Sequence, residues 1–267
     1  MAETFRLWVG KHTDAGRLRD HNEDSYGIFV PTDPVQLKQL GSLFAVADGM
    51  GGHAAGEIAS KAALDSLIEV YFATPEPSRS DALRKATHAA NERVVAEAAK
   101  MPERRGMGTT LVAAVIHGDQ MVVANVGDCR LYLLRRGVLS QMTKDHSFVA
   151  EQVRAGLITE EEARNHPRRN IISRALGTPE AEPDISEIPI QANDVIIMCS
   201  DGLHGVVNNE EIAKVGQNPD PTAAARNLVD LANTNGGPDN ITVLVIRVEK
   251  IGIDPNAVTQ VLPKITR

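Results

Sequence analysis

Five acidic positions fall where apolar runs begin or end. Phe44-Ala45-Val46-Ala47 runs into Asp48-Gly49, and Val195-Ile196-Ile197-Met198-Cys199 runs through Ser200 into Asp201-Gly202. Val122 to Val126 runs into Gly127-Asp128. Asp239 stands in Gly236-Gly237-Pro238-Asp239-Asn240, directly before the apolar segment from Ile241 to Val248, and Asn22-Glu23-Asp24 directly precedes Ser25 to Val30. Taken singly, an Asp-Gly step is a turn signal: Asp bonds nearby backbone and Gly supplies positive φ. Five such placements against buried-looking segments call for a further reason. Carboxylates crowded at one sheet edge repel, and their pKa values rise unless a cation sits among them. The donors are hard oxygens, with no His pair at helical spacing and no Cys pair, which points to Mg²⁺ or Mn²⁺ rather than Zn²⁺. No Asp-x-Asp-x-Asp-Gly calcium loop is present either. A multi-carboxylate centre of that kind commonly activates water and clamps a phosphoryl group.

The elements that must hold these residues are legible in outline. Phe5 to Val9 alternates as a half-buried strand, and Ser25 to Val30 and Leu43 to Ala47 continue the strand signal. From Ala54 the pattern turns helical, with Ile58, Ala62, Leu64, Leu67 and Ile68 at spacings of three and four until Pro75 and Pro77. Ser80 reads as the N-cap of a second long helix reaching about Lys100. Strands then dominate: Thr109 to His117, Met121 to Val126, Leu131 to Leu134 and Val138 to Met142, the last two joined through Arg136-Gly137. Residues 145–178 read as an excursion containing a short helix with a Thr159/Glu162 capping box. Ile185 to Ile190 and Val195 to Cys199 read as a strand pair, Asn208 with Glu211 and Asp220 with Pro221 as two helix starts, and Ile241 to Val248 as the last strand. Paired helices between blocks of antiparallel strands predict an α+β fold with two packed sheets flanked by helices. Residues 250–267 show no period and contain Pro255 and Pro263, which predicts a loosely ordered tail after a domain spanning 1–249.

Composition narrows the function class. The 267 residues carry 28 basic and 35 acidic side chains, a net charge of −7, with 3% aromatics. That balance argues against a nucleic-acid partner, which needs basic and stacking side chains. Cys129 and Cys199 read as small core residues in a reducing compartment, no run approaches the ~18 apolar residues of a membrane helix, and the first ten residues lack a signal-peptide pattern. A cytoplasmic protein without membrane contact is expected. Gly49-Met50-Gly51-Gly52-His53-Ala54 fits a dinucleotide fingerprint, but Asp48 would face the pyrophosphate and a second helix follows where a parallel strand is required. Gly51 to Gly56 has P-loop spacing but Glu57-Ile58 in place of Lys-Ser/Thr. Asp145-His146-Ser147 cannot chain hydrogen bonds as a triad, since neighbouring side chains point apart, and reads as a surface loop.

With these residues assembled, the chain resembles the metal-dependent protein serine/threonine phosphatases of the protein phosphatase 2C type, in their bacterial branch. The resemblance runs from about Asp14 to Val248 through motifs in order: Arg19-Asp20-His21-Asn22-Glu23-Asp24, Ala47-Asp48-Gly49-Met50-Gly51-Gly52-His53, Gly108-Thr109-Thr110, Asn125-Val126-Gly127-Asp128, Cys199-Ser200-Asp201-Gly202-Leu203 and Gly237-Pro238-Asp239-Asn240-Ile241-Thr242. It implies a four-layer αββα sandwich with two Mn²⁺ or Mg²⁺ ions and a weaker third in a cleft at one end of the sheets. By similarity Asp48 bridges the two metals and the Gly49 carbonyl supports one. Asp201 and Asp239 serve the first, Glu23 and Asp24 the second, directly or through waters, and Asp128 with Asp201 the third. The resemblance further implies attack by the metal-bridging water without a phosphoenzyme, Arg19 as the phosphate-binding fork and His53 as general acid for the leaving oxygen. Many eukaryotic relatives carry His directly after Asp-Gly, whereas here Met50 stands there and His53 follows three positions later. Cys129 stands where the family usually has Ser and should point away from the metals, as strand neighbours face opposite sides. Residues 145–178 correspond to the family's flap, where Arg164, Arg168 and Arg169 would meet phosphopeptide flanks and Asn170 would approach the third metal. The expected partners are phosphoprotein substrates and, by family analogy, a serine/threonine kinase, with a monomer as the default. Two other readings stand beside this one: a catalytically inactive relative that binds phosphopeptides, which predicts loss of a metal carboxylate, and the dinucleotide-binding oxidoreductase.

Overall fold

A computed structural model describes residues 4–51, 54–73, 76–179, 181–252 and 260–263. Strand β1 (Thr4–Asp14) and strand β2 (Asp24–Phe29) are followed by helix α1 (Pro34–Leu40), strand β3 (Ser42–Met50) and helices α2 (Ala54–Ala73) and α3 (Arg79–Ala99). Strands β4 (Gly108–Thr109), β5 (Leu111–His117), β6 (Gln120–Val126), β7 (Arg130–Arg135) and β8 (Val138–Gln141) precede the excursion, which contains α4 (Phe148–Arg154) and α5 (Glu160–Arg164). Then come β9 (Asp184–Pro189), β10 (Val195–Cys199), α6 (Asp201–His204), α7 (Asn209–Gly216), α8 (Pro221–Thr234), β11 (Ile241–Gly252) and β12 (Gln260–Pro263).

Two sheets result, ordered β12-β1-β11-β10-β7-β8 and β2-β3-β5-β6-β9, with β4 paired to β3. The period of two decides the layers. On β3, Leu43, Ala45 and Ala47 face α2 and α3, while Phe44 and Val46 face the other sheet. On β11, Leu244, Ile246 and Val248 face inward between the sheets, while Val243 and Val245 meet α6 to α8. Both faces of both sheets are therefore apolar, which is why these strands read as near-continuous hydrophobic runs. The α+β, αββα architecture stands as expected. Alanines at 59, 63, 82, 86 and 90 line the outer layer where α2 and α3 pack on the sheet, with the large aromatic Tyr71 of α2 buried among them.

Several details differ from the sequence reading. The second long helix is capped by Ser78, whose Oγ accepts from the Asp81 N–H, not by Ser80. Helix α1, capped by Asp33 with Pro34 in its first turn, was not foreseen because it buries no residue and so shows no apolar stripe. Strand β3 does not stop at Asp48 but runs on to Met50, pairing with β4. The supposed pair Ile185 to Ile190 and Val195 to Cys199 is split between sheets: β9 pairs with β6, and β10 lies between β11 and β7. Fully buried β10 needs partners on both edges, which β11 and β7 supply, whereas β9 is a largely exposed edge strand. Within the expected tail, β12 adds to β1 as the parallel edge of its sheet; the rest of the tail beyond Gly252 lies outside the described residues. Asp145, His146 and Ser147 are not a surface loop. They are 8%, 4% and 3% exposed, because Asp145 receives a bidentate Arg130 guanidinium and His146 packs against Gly127.

Candidate active site

Strand ends from both sheets meet at one end of the sandwich. Asp24 opens β2 directly opposite Asp48 on β3. β6 ends at Val126 and β7 begins at Arg130, so the corner carrying Asp128 crosses from one sheet to the other. Asp201 follows the end of β10, and Asp239 precedes the start of β11. A cleft of about 470 Å³ opens there, lined by Arg19, Glu23, Asp48, Gly49, Asp128, Asn170, Asp201 and Asp239. Asp24 lies buried beside it. Arg168 and Arg169 do not line this cleft: Arg168 stacks on Phe148 at 5.5 Å, and Arg169 faces a second cavity between the excursion and the β7–β8 side of the body. His53 and the side chain of Arg164 lie outside the described residues.

Polar side chains from neighbouring segments fix the acidic ones. The Asp48 carbonyl accepts from the Thr109 hydroxyl and the Thr110 N–H, both at 2.9 Å, and its N–H donates to Thr110 Oγ1 at 3.3 Å. Ser200 Oγ donates to Asp24 Oδ2 at 2.7 Å. Asn240 joins three segments: its Oδ1 accepts from the Glu23 N–H at 2.8 Å, and its Nδ2 donates to the carbonyls of Ala15 and His21. At Gly49 a β-carbon would lie 2.1 Å from the Gly56 carbonyl and 2.6 Å from that of Glu23, so only glycine lets α2 close over Glu23. Gly127, at φ +106, is pressed onto Thr110 and turns the chain between sheets. Cys129 points into the inter-sheet core and touches Thr110 Oγ1 at 3.0 Å. Burial and the nearby carboxylates, Asp48 foremost, push its thiol well above the ordinary range.

The carboxylates destabilise one another's charges. Burial, opposed by bonds from Ser200 and Thr242 and reinforced by Asp201 and Asp239, pushes Asp24 up to about 7. Burial and then Asp239 push Asp201 up to about 6. Asp48 and Asp128 are driven well above the carboxylate range by burial and by their acidic neighbours, and Glu23 is raised by burial against the opposing pull of Arg19. One guanidinium answers them at the mouth: Arg19 Nη2 lies 2.7 Å from Asp239 Oδ2 in a half-exposed pair.

The donor chemistry suits a hard divalent cation. Glu23 Oε1, Asp24 Oδ1 and Asp201 Oδ1 are buried and accept no hydrogen bond, and buried acceptors are ordinarily satisfied. Among the described residues no three His, Cys, Asp or Glu side chains already form a closed ligand set. The fit therefore rests on oxygen donors, mutual repulsion and unpaired lone pairs at one place.

The family model for Protein phosphatase 2C matches residues 18–233. The chain belongs to the protein phosphatase 2C family. Relatives share most of its length. It is 41% identical over 240 residues to the serine/threonine phosphatase stp of Listeria monocytogenes, covering 88% of this chain and 93% of that protein. It is 40% identical over 245 residues to the serine/threonine protein phosphatase PstP of Mycobacterium tuberculosis, covering 92% of this chain and 46% of that longer protein. The catalytic domain of a PstP, solved with two manganese ions, superposes with a TM-score of 0.81 at 38% identity, covering 92% of this chain and all of that one. Stp1 of Staphylococcus aureus superposes with a TM-score of 0.83 at 34% identity, covering 93% and 98%. By that membership this protein phosphatase 2C chain is a protein phosphatase of the serine/threonine class to which these relatives belong.

Sequence reasoning placed His146 in a surface loop and gave His204 no role, yet both bond the backbone beside Asp128. His146 accepts the Gly127 N–H on its Nδ1 at 3.0 Å, and His204 Nε2 lies 3.0 Å from the Asp128 carbonyl. Neither has a sequence signal, because each acts on backbone brought near only by the fold.

Proposed function

We propose that this chain hydrolyses phosphoserine and phosphothreonine in proteins at a Mn²⁺ or Mg²⁺ centre, two ions with a weaker third, held by Glu23, Asp24, Asp48, the Gly49 carbonyl, Asp128, Asp201 and Asp239. The observation that carries this reading is the cluster of raised-pKa carboxylates with unpaired buried oxygens at one open cleft of about 470 Å³. When bound, the ions lower the pKa of water and offset charge on the phosphoryl oxygens. The protein's share is positioning. Thr109 and Thr110 hold Asp48, Ser200 holds Asp24, and Asn240 holds the Glu23 backbone. Arg19, at the mouth, presents a planar fork matched to phosphate oxygens and exchanges its Asp239 partner for them. His53 is the candidate donor to the departing serine or threonine oxygen, since imidazole changes charge near neutral pH. Direct attack by water, with no phosphoenzyme, is part of the same proposal. Asn170 lies at the cleft beside Asp128, and the arginines of the excursion would meet flanking parts of a phosphoprotein. A serine/threonine kinase as counterpart, a monomeric state and a cytoplasmic site of action belong to the same proposal.

The test is hydrolysis of p-nitrophenyl phosphate and of a phosphothreonine peptide with Mn²⁺, then with EDTA. Turnover should require the metal and vanish in Asp48→Ala. Metal-independent turnover, or full activity in that variant, overturns the mechanism.

A further inference from the structure

The ladder between β7 and β10 ends at the pair Arg130 and Cys199. Asp128 lies two residues before that pair on one strand, and Asp201 two residues after it on the other. The β7–β10 ladder does not extend past that pair, so its main-chain pairing does not set the separation of these carboxylates. His204 does reach across. It closes α6, the four-residue helix that opens with Asp201, and its Nε2 lies 3.0 Å from the carbonyl oxygen of Asp128. A carbonyl can only accept, so Nε2 carries the hydrogen and donates. The ring lines the second cavity, which Arg130 also lines. The other side of the Asp128 corner is already clamped, by His146 and by Asn125 Nδ2 donating to the Gly127 carbonyl.

We propose that His204 is a positioning residue for the Asp128–Asp201 pair, tying the backbone of one carboxylate to the helix that carries the other and so fixing their spacing for a divalent cation. The inference rests on the metal-dependent reading above. Residues that orient metal ligands typically alter affinity by about 10–100-fold when removed.

The test compares His204→Gln with His204→Asn. The Gln amide nitrogen can stand near the position of Nε2, whereas the Asn amide stops about one methylene short. Mn²⁺ uptake is followed by the electron paramagnetic resonance signal of free Mn²⁺, and melting is recorded in EDTA. His204→Asn should weaken the weakest Mn²⁺-binding step by about tenfold or more, with Gln restoring it to within about threefold. The two variants should melt together in EDTA. Equal Mn²⁺ binding in both, whether both intact or both impaired, overturns the proposal, as does a melting difference in EDTA as large as that in Mn²⁺. Wild-type protein that takes up no Mn²⁺ overturns the metal-dependent reading itself, and this inference with it.

Discussion

Asp48 carries opposite obligations to stability and to chemistry. It sits among Asp24, Asp128, Asp201 and Asp239, and burial with those charges drives its pKa well up. Asp48→Asn keeps the shape and removes the charge. Turnover in saturating Mn²⁺ should fall at least ~100-fold, because the proposed bridging ligand is lost. The melting temperature in EDTA should rise, since a buried like charge has gone; a gain on the order of 1 kcal/mol corresponds to about 2–4 °C in a domain of this size. Differential scanning fluorimetry beside a phosphopeptide assay checks both signs. Arg19 makes a second, separate case. Arg19→Lys retains the charge but loses the two-pronged geometry, so KM for the phosphopeptide should rise about tenfold with a smaller change in kcat. Steady-state kinetics at fixed Mn²⁺ separates the two constants.

At the scale of elements, the site depends on short connections rather than on the long helices. The loop entering β11 contributes Asn240, whose side chain joins the backbones of Ala15, His21 and Glu23. Asn240→Ala leaves the Glu23 N–H and two carbonyls without that partner, a loss of about 1–3 kcal/mol by the usual cost of unsatisfied buried groups. Chemical denaturation should show that decrease, and the Mn²⁺ concentration for half-maximal turnover should rise as Glu23 loses its anchor. The excursion between Asp145 and Thr178 is tied at its base, where Arg130 grips Asp145 and His146 meets the Gly127 corner. Its arginines are therefore carried on a segment whose root touches the Asp128 turn, while Arg168 and Arg169 themselves stand off the cleft.

For the molecule as a whole, the carboxylate cluster sets a pH dependence with a definite sign. Asp24 and Asp201 titrate near 7 and 6 in the metal-free fold, against about 3.9 for an unfolded aspartate. Between about pH 4 and 7 these two carboxylates bind more protons in the folded chain than in the unfolded one, so their contribution to metal-free stability falls as pH rises through that window. A cation takes the place of those protons, and its uptake releases them. The melting shift produced by Mn²⁺ should therefore be small near pH 5 and grow toward pH 7.5. Thermal scans with Mn²⁺ or EDTA across that range check it; a shift that shrinks with rising pH would contradict the electrostatic account.

The sequence by itself determined the placement of carboxylates at strand ends and the layered α+β plan, because these follow from local apolar runs, turn residues and the period of two. It also placed the capping boxes at Thr159 and Asn208, which both form, since a cap is settled within four residues. Only the tertiary structure decided what depends on segments far apart in the chain. It split β9 from β10 between sheets, buried Asp145 and His146 that locally read as loop, and set Arg19 on Asp239 across 220 positions. It also brought His204 to the carbonyl of Asp128. Hydrogen bonds to backbone carry no side-chain pattern at their receiving end, so nothing in the residue order announces them; they exist once the two sheets have closed.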